Sequence, residues 1–273
     1  MYNNEVKIKI LHDKLVVGIR DFFIKSGFKK AVLGLSGGLD SAVTAALAVS
    51  ALGNENVHGL LLPSQYSSDH SITDAIALAN NLEISYDIIP IKEIYNTIET
   101  TLSPIFAGRE PDVTEENIQA RIRGLVLMAY SNKFGNILLN TSNKSEAAVG
   151  YGTLYGDMCG SLSVLGDVYK SDVYKLANHI NSEKEIIPVN TIQKPPSAEL
   201  RPNQKDSDFL PEYEILDAIL LRYIEHNQKI NVIITEGYDE ITVNRVVSMY
   251  KKSEFKRFQS PPVIVVSEKP LKK

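Results

Sequence analysis

The chain has 273 residues, 44% hydrophobic and 23% charged, enough to bury one large core or two modest ones. A formal net charge of −4 argues against broad attraction to a nucleic-acid backbone or an anionic membrane, while small anionic ligands remain open. Cys159 is the only cysteine, which excludes an internal disulfide, a Cys-rich zinc site and a CxxC pair and suits the cytoplasm. Met1 to Lys9 scatters charge among apolar residues, unlike a signal peptide, and no apolar run reaches the roughly 18 residues of a membrane span, so a soluble protein with no membrane partner is expected.

In chain order, Val6, Ile10, Leu11, Val17, Ile19, Phe22 and Phe23 recur at near-helical spacing, predicting a helix over 5–25 with Gly27 at its C-cap. Ala31 to Leu35 reads as a short buried strand, followed by a Ser/Gly turn and an Ala-rich helix from Ser41 to Leu52, ended by Gly53. Strands are predicted at 57–62, 85–90 and 136–140, with helices near 71–81, 91–102 and 115–132. Apolar strands alternating with helices imply an α/β fold, a doubly wound parallel sheet covered on both faces. Beyond Pro211 the pattern is helical, with Ile215, Leu216, Ile219, Leu220 and Tyr223 on one face, and again over about 239–252. Two Pro-containing segments, 103–114 and 194–211, are candidate lid loops in what is expected to be one domain over 1–273.

The turn Ser36-Gly37-Gly38-Leu39-Asp40-Ser41 follows the first strand, where a parallel sheet usually receives a phosphate. Gly37 and Gly38 let backbone N–H groups approach phosphate oxygens, the following helix points its positive end at them, and Ser36 and Ser41 add hydroxyls. No lysine follows the glycines as a Walker A loop requires, and GxGxxG is absent. Asp40 would repel a phosphate unless it holds a divalent cation, so it is a candidate magnesium ligand; the alternative is a helix cap in an ordinary tight turn. The six-residue string in this position resembles the signature of the N-type ATP-pyrophosphatases (adenine-nucleotide alpha-hydrolase type, Rossmann-like), which adenylate a substrate oxygen and then admit a nitrogen nucleophile. The resemblance places ATP on Gly34, Leu35, Ser36, Gly37, Gly38, Leu39, Asp40 and Ser41.

The stretch from Glu116 to Asp172 resembles the NAD synthetases, the ammonia-dependent ones in particular, more closely than other members of that group. Within Gln119-Ala120-Arg121-Ile122-Arg123, the resemblance assigns Arg121 to the deamido-NAD substrate. In Asn140-Thr141-Ser142-Asn143-Lys144-Ser145-Glu146 it implies that Thr141 contacts ATP and Glu146 is the second magnesium carboxylate. Tyr151 and Tyr155 offer flat surfaces for a nicotinate ring, core or dimer-interface packing being the alternative, and Asp157 matches the position assigned to ammonia. Lys170 matches a lysine on ATP phosphate, where it would offset charge during adenylation; Ser197 matches an ATP-contacting threonine, and Lys256 a lysine on deamido-NAD. Phe255, Leu154 and Ser161 depart from a histidine, a lysine and an aspartate found in relatives, and Gly166 stands where many have lysine.

These matches imply ATP-dependent amidation of deamido-NAD by ammonia, giving NAD, AMP and pyrophosphate, with Mg2+ on Asp40 and Glu146. They imply a homodimer too. With no stretch remaining for a glutaminase domain, ammonia is expected from outside, free or from a separate glutaminase subunit. Another amide-forming ATP-pyrophosphatase, such as a GMP synthetase subunit, and a non-catalytic adenine-nucleotide sensor are the alternative readings.

Overall fold

The computed structural model describes residues 4–272, so Met1 to Asn3 of the scattered-charge N-terminus lie outside the described residues. The first helix, α1 (Asn4–Ser26), buries Leu15, Ile19 and Phe23 at four-residue spacing and ends at Gly27, whose φ of 75° gives the expected left-handed cap. The alternation then begins: β1 (Ala31–Gly34), α2 (Leu39–Leu52), β2 (Val57–Leu61), α3 (Asp69–Asn81), β3 (Ser85–Ile88), α4 (Lys92–Phe106), α5 (Val113–Phe134) and β4 (Ile137–Asn140). There follow α6 (Lys144–Val149), the two-residue β5 (Leu162–Ser163), α7 (Lys170–Ile180) and α8 (Val189–Gln193). The C-terminal part is helical: α9 (Tyr213–Leu220) runs into a π-helical turn over Leu221–Glu225, then α10 (Ile230–Thr235), α11 (Glu240–Lys252) and α12 (Glu254–Arg257).

The five strands form one parallel sheet in the order β3-β2-β1-β4-β5. Side chains alternate across it, so neighbours in sequence serve opposite cores. Leu33, Leu61 and Leu139 pack with Leu15, Ile19, Leu47 and Leu176 of α1, α2 and α7. Val32, Leu60 and Leu138 pack on the other face with Tyr95, Ile118 and Ile122 of α4 and α5. Full burial of each such side chain contributes about 1.5–3 kcal/mol, which is why these strands are apolar throughout and not alternating. A third core, built from Leu216, Ile219, Leu220, Ile233, Val243 and Val246, packs the C-terminal helices onto α6. The doubly wound parallel sheet read from the sequence is therefore the observed one.

This order puts the functional edge in place. The chain moves outward from β1 to β2 and β3, then returns to β4 on the other side of β1. Loops leaving β1 and β4 diverge, and the crevice between them is where such sheets hold ligands.

Segment 103–114 is less of a loop than its prolines suggest: α4 continues to Phe106, and only 107–112 lies outside a helix. Pro104 removes the N–H that would bond the Thr100 carbonyl, and Ser103 Oγ donates to that carbonyl instead at 3.0 Å. Asp112 and Glu115 form a capping box that starts α5.

Residues 262–267 form a strap beside β5. Ser163 N–H donates to Pro262 O at 2.9 Å, and Asp167 accepts from Val266 N, Ser267 N and Ser267 Oγ at 2.7–2.8 Å. The strap passes so close to Gly166 that a Cβ there would lie 2.6 Å from Val263 Cγ1, a physical reason for glycine at this position.

Candidate active site

The glycine turn closes the gap between β1 and α2. Gly37 has a φ of +77°, and a Cβ on it would sit 2.2 Å from the Ser71 carbonyl oxygen at the start of α3, so only glycine fits. The serine hydroxyls face inward: Ser41 Oγ donates to Gly38 O at 2.9 Å, while Ser36 Oγ accepts from Gly38 N at 3.1 Å. They set the shape of the turn. Gly38 caps α2 with no side-chain hydrogen bond, which leaves the helix N-terminus available to an anion.

Three adjacent strand ends then converge. Asp40 stands in the first turn of α2 after β1, Glu146 in the first turn of α6 after β4, and Lys170 begins α7 after β5. Lys170 Nζ pairs with Asp40 Oδ2 and lies 3.6 Å from Glu146 Oε1. Asn143 links the two acids, donating to Asp40 Oδ1 at 2.9 Å and accepting the Glu146 N–H at 3.0 Å. Asp206, from the 194–211 segment, accepts from Tyr213 at 2.8 Å and from Tyr151 at 3.0 Å, and the Tyr213 hydroxyl lies 3.4 Å from Glu146.

The electrostatics follow from this crowding. Burial first, and then the Asp40 charge, push the Glu146 carboxyl up to about 8. Burial alone would lower the Lys170 ammonium, but Asp40 and Glu146 overcome it and hold it above its ordinary value. Among the described residues no three His, Cys, Asp or Glu side chains stand close enough to enclose a metal. Asp40 and Glu146 nevertheless both reach the Lys170 ammonium, so their oxygens converge where one positive charge serves two carboxyl groups. Two carboxylates, completed by phosphate oxygens and water, are an ordinary donor set for magnesium, so these residues fit it.

A cavity of about 770 Å3 runs from this cluster along the sheet edge. Gly34, Leu35, Ser36, Gly38, Leu39, Asp40 and Ser41 line one end. Thr141, Glu146, Tyr151, Asp157, Lys170 and Lys256 line it as well, with Ser197 on the covering segment. Asp157 is held by the Thr153 N–H at 2.6 Å, and burial raises its carboxyl against the pull of that N–H and of Lys256 and Arg123. Lys256 Nζ is spent on the Gly150 and Gly152 carbonyls at 2.8 and 2.7 Å.

Three residues singled out in the sequence do not line the cavity. Gly37 turns its backbone toward Ser71. Arg121 is exposed on α5, its Nε donating to Leu154 O at 3.2 Å. Tyr155 is 70% exposed, with its hydroxyl on Gln259 at 2.8 Å.

The 194–211 segment lies over the cavity and is fastened there. Glu199 accepts from the Ser68 and Ser71 hydroxyls, both at 2.8 Å, and Gln119 Nε2 donates to Leu200 O at 2.8 Å. Ser197 Oγ is turned inward to Gln204 O at 2.6 Å. Sequence reasoning missed Arg123, Asn143, Glu199, Asp206 and Tyr213. Asn143 had a readable sign, an Asn three residues before Glu146 as in a helix N-cap; Glu199 in irregular chain and Asp206 in a short 3-10 turn had none.

Residues 11–260 match the NAD synthase family. The chain is 53% identical over 255 residues to a glutamine-dependent NAD(+) synthetase from Thermotoga maritima, covering 93% of this chain and 44% of that protein. It spans about half the length of the curated relatives it matches. Among solved structures it resembles an NH3-dependent NAD synthetase from Campylobacter jejuni, with a TM-score of 0.73, 30% identity and coverage of 93% and 96% of the two chains. An NMN synthetase from Francisella tularensis gives a TM-score of 0.79 at 29% identity, covering 92% of this chain and 95% of that one. With a family match over nearly all of the sheet and its ligand-facing edge, the chain belongs to the NAD synthase family.

Proposed function

We propose that this chain is a ligase that forms a C–N bond, amidating the pyridine carboxylate of deamido-NAD at the expense of ATP to give NAD, AMP and pyrophosphate. The observation that carries this reading is the meeting of Asp40, Glu146 and Lys170 at three adjacent strand ends, opening into a cavity that continues to Asp157. A nucleotide sensor would have no use for two half-buried carboxyl groups beside a phosphate turn.

In this reading the triphosphate of ATP lies over Gly34 to Ser41, its oxygens facing the uncapped N-terminus of α2. A carboxylate oxygen of the acid attacks the α-phosphorus, an O–P bond forms, and the α–β bridge breaks to release pyrophosphate. Magnesium, when bound by Asp40 and Glu146, supplies charge neutralisation for that departure. The Lys170 ammonium adds a fixed positive charge where negative charge builds up. Asp157, whose carboxyl is raised by burial, is suited to hold ammonium and take its proton, so that ammonia attacks the acyl carbon and AMP leaves. The 194–211 segment, with Ser197 and Asp206 facing the cavity, acts as a lid that keeps water from the acyl adenylate.

The nitrogen consumed at this site is ammonia, free or released from glutamine elsewhere; the names of the longer relatives support glutamine as a source. Arg121 and Tyr155, outside the cavity and exposed, are assigned to substrate contacts completed by the partner of a homodimer in the cytoplasm. The similarity to an NMN synthetase makes the mononucleotide acid a second candidate acceptor at the same pyridine end.

The test is to incubate the protein with ATP, magnesium and ammonium together with deamido-NAD, nicotinate mononucleotide or xanthosine monophosphate. Amide product and pyrophosphate are measured together. Equimolar NAD and pyrophosphate with deamido-NAD is the expected result; pyrophosphate only with xanthosine monophosphate would contradict the substrate, and none with any acceptor would favour a sensor.

A further inference from the structure

Among the described residues, five cations border the cavity: Arg123, Lys170, Lys194, Arg245 and Lys256. Four are committed or peripheral. Lys170 serves Asp40 and Glu146, Lys194 donates to Ser71 Oγ at 3.1 Å and pairs with Asp74 at 3.2 Å, and Lys256 holds two carbonyls. Arg245 is on the exposed rim, with Nη2 on Phe209 O at 2.5 Å.

Arg123 differs from all of them. Its Nε donates to Leu62 O at 3.0 Å, at the end of β2, which fixes the plane of the guanidinium. Among the described residues, neither Nη makes a hydrogen bond or an ion pair with the protein. Burial draws the group down to about 10, so it remains a cation at neutral pH but a poorly solvated one. A half-buried forked donor with a clamped stem and two nitrogens free of protein partners is suited to receive an oxyanion presenting two oxygens.

Its surroundings say which part of a substrate would arrive there. A Cβ on Gly124 would meet Tyr155 O at 2.9 Å and Gly156 O at 3.0 Å, and one on Gly156 would meet the Ala120 carbonyl carbon at 2.9 Å. Two glycines thus let the 155–159 loop lie directly on α5, which sets Arg123 and Asp157 on one wall of the cavity. The Arg123 charge acts on Asp157 and on Glu199 of the candidate lid. Asp157, the residue assigned above to ammonia, thus shares this wall with the fork.

We infer that the Arg123 fork holds the carboxylate of the pyridine acid and makes the site select the acid over its amide product. This rests on the amidation reading. Both carboxylate oxygens accept from the fork in the ground state. After one becomes bonded to phosphorus, the other stays on the guanidinium, where charge develops as ammonia adds. In the product an NH2 group replaces an oxygen and faces N–H donors, which weakens the hold and favours release.

The experiment is titration calorimetry of deamido-NAD and NAD into wild type, Arg123→Lys and Arg123→Gln, with a non-hydrolysable ATP analogue present. Thermal melts establish folding, and the analogue is also titrated alone. Wild type is expected to prefer the acid by about tenfold or more, the value of a charged hydrogen bond. Arg123→Gln should bind acid and amide alike, Arg123→Lys should keep part of the preference, and analogue affinity should move by less than about threefold. An acid preference that survives in Arg123→Gln overturns the assignment. So does a loss confined to the ATP analogue, which would give the fork to a phosphate. If Arg123→Gln does not fold, Arg123→Lys decides: undiminished preference for the acid refutes the role. Wild-type turnover is assayed in parallel, so a protein that makes NAD but ignores residue 123 sinks this inference alone, whereas one that makes no amide sinks the amidation reading.

Discussion

Replacing Lys144 with methionine would leave two carboxylates without their cation in the middle of the protein. Lys144 is fully buried beside Asn143, and its ammonium pairs with Asp167 Oδ1 at 2.8 Å and with Glu225, while also donating to Ser267 Oγ at 2.8 Å and Lys269 O at 3.1 Å. The Asp167 and Glu225 side chains are 0% and 9% exposed, so water cannot take over. An exposed pair would contribute at most about 1 kcal/mol, but stripping one partner from a buried cluster costs about 3–5 kcal/mol. For a chain of this size that corresponds to roughly 10 °C in melting temperature. Asp167 retains its bonds from the strap, and for that reason the lower half of the range is expected. Urea unfolding followed by circular dichroism measures it, with the midpoint falling and the slope unchanged. Lys144→Met combined with Asp167→Asn and Glu225→Gln should recover more than half of the loss, because no uncompensated charge remains. A loss below about 1 kcal/mol for the single variant, or no recovery in the triple, would refute the assignment of this cluster as a buried ionic hub.

Three further outcomes are expected. Gly37→Ala should raise the KM for ATP about tenfold or more, since left-handed strain of about 1–3 kcal/mol adds to a clash with Ser71 O, whereas Gly38→Ala, with its φ of −82° and only the Ser36 hydroxyl at 3.2 Å to give way, should cost less. Equal effects at the two positions would contradict the turn geometry. Magnesium binding at pH 7 should release nearly one proton per protein, because a Glu146 carboxyl near 8 is mostly protonated there and must ionise to hold a cation; calorimetry in two buffers of different ionisation enthalpy measures this, and no release would contradict the Asp40–Glu146 pairing. Glu199→Gln should speed amide hydrogen exchange across residues 197–205 by about tenfold through loss of charged hydrogen bonds to Ser68 and Ser71, and unchanged exchange would refute Glu199 as the fastener of the lid.

Much of the sheet was legible because its strands are uniformly apolar. Val32, Leu60 and Leu138 face one helix layer while Leu33, Leu61 and Leu139 face the other, a pattern that only a sheet covered on both faces requires. The two-residue β5 left no periodic trace, and its partner in space, the strap at 262–267, joins it from a hundred residues away. The proline in α4 suggested a break that Ser103 prevents by taking over the orphaned carbonyl. At the site, the family resemblance named Asp40 and Glu146 together, and their places after strands of one edge were compatible with that pairing. Arg123 could not be told from Arg121: two positions apart on a helix, one lines the cavity and the other is exposed, and the packing of α5 through Ile118 and Ile122 on the sheet and through Gly124 on the 155–159 loop sets which. Asp206, in a short 3-10 turn, and Tyr213, at the start of α9, come to Glu146 through tertiary folding, for which spacing carries no signal.

The central claim is that this edge adenylates a pyridine carboxylate before nitrogen arrives. Deamido-NAD labelled with 18O in that carboxylate, incubated with ATP, magnesium and ammonium, tests it by mass spectrometry of the products. One labelled oxygen in AMP for each NAD formed is the expected result, since the acyl oxygen leaves with phosphorus. Unlabelled AMP, or label in phosphate or pyrophosphate, would contradict it.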